Sequence, residues 1–137
     1  MEKDIQILFN IAKDTINKSY SPYSNFKVSA AILSSNNNTY TGINIENASY
    51  PCSLCAEGAA IANMVTNGDY KIAKMLVMVD YNITKEICTP CGLCRQRIRE
   101  FADDNLPIYL ANTKQVLKTT NLGELLYMSF GPNNLKK

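Results

Sequence analysis

Apolar residues recur at helical spacing near the start of the chain. Ile5, Leu8, Phe9, Ala12 and Ile16 form one stripe, which predicts a helix over 3–18. SYSPYSN at 19–25 is a turn-rich linker. FKVSAAILSS at 26–35 has the β-branched and small apolar residues of a strand. NNN at 36–38 signals a turn, and TYTGINIE at 39–46 alternates like a second strand, so the two strands predict a hairpin. The run 55–67 is rich in small residues and suits a packed helix, with Gly68 at its stop. IAKMLVMVDY at 72–81 reads as a buried strand, followed by a loop over 82–90 and a helix over about 91–104. Pro107 opens a short strand at 108–112. VLKTT at 116–120 is a fifth strand candidate, and LGELLYMSF at 122–130 reads as a final helix. Strands and helices mixed in this order predict an α/β fold, a sheet with helices on both faces. There is no internal repeat and no low-complexity segment.

Composition narrows the class. At 137 residues the expectation is one domain over 1–137, large enough to bury a core without disulfide staples. Hydrophobic residues make up 46% and charged residues 19%, which is a globular composition. The net charge is only +2, and no basic run is longer than Lys136-Lys137, which argues against a nucleic-acid partner. The arginines do cluster, at 95, 97 and 99. On a helix Arg95 and Arg99 share a face that Arg97 does not, and a solvated helix surface is the plain reading. The start, Met1-Glu2-Lys3-Asp4, is charged and unlike a signal peptide, and no apolar run approaches the ~18 residues of a membrane span. A soluble, cytoplasmic protein with no membrane partner is expected.

Two features of the titratable residues carry more. There are five cysteines, an odd number, so in a reducing compartment metal binding or catalysis is favoured over a disulfide framework. There is no histidine, which excludes a Ser-His-Asp triad, a Cys-His dyad and any His-ligated metal. Four cysteines form two C-x-x-C pairs, 52/55 and 91/94, and Cys88 stands apart. Two such pairs in a histidine-free chain point to zinc. All four could close a structural site, or three could bind the ion and leave a fourth position for solvent. Glu57 bears on that choice. Residues two apart on a helix point about 200° away from each other. Cys55 and Glu57 can therefore face one ion only if Cys55 starts the helix, a placement that Pro51 favours. Pro90 likewise places Cys91 at a helix start. Two helix N-termini would then stabilise the thiolates. Glu57 could be a base near neutral pH, or merely a first-turn carboxylate favoured by the helix dipole.

C-A-E at 55–57 followed by P-C-x-x-C at 90–94 resembles the zinc-dependent cytidine deaminases. The resemblance extends to SPYSNFKVSAAIL at 21–33, GINIENASYP at 42–51, PCGLCRQ at 90–96 and LLYMSFGP at 125–132, and so covers most of the chain. It points to the small three-cysteine class that forms homotetramers. The implied fold is a three-layer α/β/α sandwich around a five-stranded mixed sheet. The implied activity is hydrolytic deamination of cytidine and deoxycytidine in pyrimidine salvage. By the same resemblance, Cys55, Cys91 and Cys94 hold one zinc ion per subunit, Glu57 shuttles protons, and Cys52 is a bystander. Phe26 packs on the pyrimidine, Asn44 and Glu46 bind the ribose hydroxyls, and the Ala56 backbone contacts the base. Tyr50 and Phe130 complete active sites across subunit interfaces.

The bland alternatives are plain: Phe26 as core, Asn44 and Glu46 as one solvated face of a strand, Tyr50 and Phe130 as packing aromatics. Two residues depart from the family pattern. Gly58 stands where the family usually has an arginine that offsets the thiolates, and Ser29 where it usually has glycine. Arg95, next to Cys94, is the expected substitute for that charge. Rival readings are a deaminase of a modified nucleoside and a structural zinc module that binds a partner protein.

Overall fold

A computed structural model describes residues 2–136. Its elements in chain order are α1 (Lys3–Ile16), β1 (Val28–Ser34), β2 (Thr39–Ile43), α2 (Ala56–Thr66), β3 (Ile72–Val79), α3 (Gly92–Arg99), β4 (Pro107–Asn112), β5 (Val116–Asn121) and a one-turn α4 (Leu122–Leu125). The five strands form one mixed sheet in the order β2-β1-β3-β4-β5, with only β3 and β4 parallel.

Both faces of the sheet are covered, as expected. The apolar stripe of α1 packs Leu8, Phe9, Ala12 and Ile16 onto Ala31, Leu76, Met78, Tyr109 and Ala111. On the other face α2 and α3 bring Ala60, Ile61, Met64 and Ile98 against Ile32, Met75, Val77, Ile108 and Leu110. Strand residues alternate between these faces because successive side chains point to opposite sides. Each fully buried large side chain contributes roughly 1.5–3 kcal/mol relative to exposure.

The small residues of α2 let it lie very close to β2. A Cβ on Gly42 would stand 2.3 Å from the Ala60 amide nitrogen and 2.5 Å from the Ala56 carbonyl oxygen. Only glycine fits there, and this contact fixes the height of the α2 N-terminus above the sheet. The turn between β1 and β2 is tied to the far end of α2. Asp69 is 4% exposed and accepts hydrogen bonds from Ser34, Asn36, Asn38 and Tyr40, which hold its carboxyl well below the usual carboxylate range.

Several elements are shorter than predicted, α1, β1 and β3 by two or three residues, and three others end early for a tertiary reason. α3 stops at Arg99 rather than 104, because the Phe101 carbonyl accepts from the Ile72 amide at the start of β3 (2.9 Å). The helix predicted over 122–130 ends at Leu125. Arg95 donates to the Leu125 carbonyl at 2.7 Å, and Met128 has φ +49°. β2 ends at Ile43 rather than 46. Asn44 still donates its amide to the Val28 carbonyl of β1 (3.3 Å), but Ile45 and Glu46 leave β1 and bond to Leu54 and Tyr20.

Candidate active site

A cavity of about 510 Å³ opens where the N-termini of α2 and α3 meet the ends of β1 and β3. Cys55 and Cys91 are the N-cap residues of α2 and α3, both in extended conformation. Each thus stands at the start of its helix, and Cys94 follows one turn into α3. The three sulfurs lie within 4.8 Å of one another. Cys52 is exposed and outside this group, and so is the half-buried Cys88.

The donor set fits zinc. A tetrahedral ion with sulfurs at ~2.3 Å needs them about 3.8 Å apart. Cys94 is fully buried; burial first, then the charge of Glu57, pushes its thiol up. Burial also pushes Cys55 up, whereas the Cys94 backbone amide draws Cys91 down. A divalent cation among these sulfurs supplies the charge that buried thiolates need.

Glu57, in the first turn of α2, lines the cavity and is 5% exposed. Burial pushes its carboxyl up. Hydrogen bonding from its own backbone and from the Cys94 thiol opposes this, as does the charge of Arg97. The site thus joins a soft-metal cage to a buried, displaced carboxyl, the pairing that general acid–base chemistry uses.

The other expected residues fall as follows. Phe26, Asn44, Glu46, Tyr50 and Ala56 all line the cavity. Asn44 is heavily used by the protein itself. Its amide donates to the Phe26 carbonyl (2.7 Å), and its oxygen accepts from the Val28 amide (3.0 Å) and from the Ser19 hydroxyl. Glu46 accepts from the amides of Tyr23 and Ser24 and from the Ser24 hydroxyl, which lowers its pKa. The two side chains brace the 19–28 loop as one wall. Tyr50, 71% exposed, stands at the rim of its own chain's cavity, edge-on to Tyr23 with ring centroids 6.0 Å apart. Phe130, 60% exposed, lies outside the cavity; its carbonyl accepts from Gln96.

Arg95 sits beside Cys94 in sequence, but its guanidinium donates to the Pro90 and Leu125 carbonyls and to the Thr89 hydroxyl. The guanidinium that reaches α2 is that of Arg97, which the sequence reading passed over. Its spacing of three from Cys94 was the available signal. Cys88 and Thr89 also line the cavity and were not foreseen there.

The family model described as "Cytidine and deoxycytidylate deaminase zinc-binding region" matches residues 2–110. A cytidine deaminase of Mycoplasma pneumoniae is 40% identical over 131 residues, covering 95% of this chain and 96% of the relative. One of Mycoplasma genitalium is 37% identical over 130 residues, covering 95% and 98%. The crystal structure of cytidine deaminase from Burkholderia pseudomallei superposes with a TM-score of 0.85 at 34% identity, covering 95% of this chain and all of that one (100%).

Proposed function

This chain belongs to the cytidine and deoxycytidylate deaminase family, and on that premise we propose that it converts free cytidine and deoxycytidine to uridine and deoxyuridine by hydrolysis, releasing ammonia. The observation that carries this reading is a buried carboxyl, Glu57, on the floor of a nucleoside-sized cavity beside three convergent cysteines.

Cys55, Cys91 and Cys94 would hold the zinc, which when bound supplies the Lewis acidity that makes solvent nucleophilic near neutral pH. Glu57 accepts the proton that the attacking water loses and delivers it to ring N3. It then carries the water's second proton to the exocyclic amino group, so that ammonia leaves. One carboxyl serves both transfers because each returns it to its starting form, and its upward-shifted pKa suits it to donate as well as accept. Phe26 offers an aromatic face to the pyrimidine, and the Ala56 backbone borders the base. Glu46, and the amide hydrogen of Asn44 that Phe26 leaves free, would meet the ribose hydroxyls.

The proposal includes a homotetramer in which Tyr50 and Phe130 reach neighbouring sites. The exposure of Tyr127, Met128 and Phe130 supports a subunit contact along the C-terminal segment. It also includes a cytoplasmic role in pyrimidine salvage for one domain over 1–137. A small nucleoside, rather than nucleic acid, fits the modest net charge of +2. Among the described residues, no helix is long and apolar enough to cross a membrane.

An ultraviolet assay with cytidine, deoxycytidine and cytosine, with metal analysis of the same sample, tests the reading. Turnover of both nucleosides with about one zinc per chain is expected. A zinc-loaded protein inert toward both overturns it.

A further inference from the structure

We propose that Arg97 is the counter-charge of the metal site, a positioning residue whose guanidinium offsets the negative charge of the metal-loaded three-cysteine cluster by entering the space left open at Gly58. This inference rests on the site reading above and deepens it.

The geometry is specific. A Cβ at Gly58 would lie 3.1 Å from Arg97 Nη1 and 3.7 Å from its Cδ, so the arginine side chain crosses directly over this residue. Gly58 is buried in the first turn of α2, next to Glu57 and three residues from Cys55. On α3, Arg97 follows Cys94 by three and so shares its face. The side chain therefore reaches from α3 to the first turn of α2, joining the two helices that carry the sulfurs.

The charge argument runs the same way. A cation at the N-terminus of a helix opposes the macrodipole and needs an anion to offset it. Among the described residues the Arg97 side chain has no hydrogen-bond or ion-pair partner. Arg95 is committed to Pro90, Leu125 and Thr89, and Arg99 to Asp104. Gly58, over which the Arg97 side chain crosses, follows Glu57 directly and Cys55 by three residues. Three thiolates around a divalent ion leave a net −1, and Glu57 adds another negative charge. Two helix N-termini supply only partial compensation. Arg97 supplies a whole charge. Positions 58 and 97 thus compete for one volume, and either one can deliver the cation.

The test compares wild type, Arg97→Gln, Arg97→Lys and the exchange double variant Gly58→Arg/Arg97→Gln. Each is loaded with zinc and titrated with a chelator, and each is assayed on cytidine. Melting of the metal-free proteins serves as a control for fold. Arg97→Gln is expected to lose zinc on the order of 10- to 100-fold more readily and to lose kcat with little change in KM. Its metal-free melting temperature should stay near that of wild type. Lysine and the exchange variant should recover much of both losses. The proposal is overturned if Arg97→Gln keeps wild-type zinc retention and kcat. It is equally overturned if neither cationic variant recovers either property. Should wild type hold zinc yet leave cytidine unchanged, the deaminase reading fails while the chelator comparison still decides the role of Arg97.

Discussion

Replacing Glu57 by glutamine separates chemistry from architecture more cleanly than any other change in this molecule. The amide keeps the volume of the side chain and removes only its charge and its ability to carry a proton. Two proton transfers depend on this carboxyl, and a positioned acid–base group is worth roughly 10²- to 10⁴-fold in each. Losing both should lower turnover by at least about 10⁴-fold, or about 5.5 kcal/mol of barrier at ~1.36 kcal/mol per decade. Stability should move the other way or not at all. Glu57 is 5% exposed and burial already disfavours its charged form, so a neutral isostere relieves a cost. The assay follows the absorbance change of cytidine, with zinc content and melting temperature measured on the same preparation. Turnover within tenfold of wild type would refute the shuttle. Loss of zinc together with a melting point lowered by several degrees would make Glu57 a structural group instead.

Cys52→Ser should retain about one zinc per chain, whereas Cys94→Ser, at a fully buried position of the sulfur cluster, should lose most of it; metal analysis distinguishes them, and a zinc-free Cys52→Ser protein would restore the four-thiolate reading. Gly42→Ala forces a methyl to within 2.3–2.8 Å of the α2 backbone, which no rotamer can relieve. The cost should be on the order of 3 kcal/mol, read as a lower denaturation midpoint, and activity should fall too because α2 carries Cys55 and Glu57. Asp69→Asn should destabilise the protein at neutral pH. The folded pKa of Asp69 lies below its unfolded value of about 3.9, so its contribution is full above that pH and is lost as pH falls through the folded value. Urea midpoints should therefore differ at neutral pH and converge toward strong acid; parallel curves would count against the linkage.

Local pattern carried most of the architecture. The stripe Leu8, Phe9, Ala12 and Ile16 is legible because α1 meets the sheet along one face. Cys55 and Cys91 were readable as helix starts because Pro51 and Pro90 stand close ahead of them. Element ends were less legible where distant groups set them. The stop of α3 depends on the Ile72 amide, and that of α4 on Arg95, neither of which is near in sequence. The same limit applies to Arg97. Its helical phase relative to Cys94 can be read from spacing, but its neighbour across the gap, Gly58, appears only once α2 and α3 are brought together.

The bracing of the 19–28 loop by Asn44 and Glu46 has a consequence for how this enzyme can change. The same two side chains that would greet the sugar also keep the mouth of the cavity in shape. A mutation that retunes sugar preference there would deform the opening as well, so new specificity at this end must arise through paired substitutions, with Ser24 and Tyr23 adjusting in step.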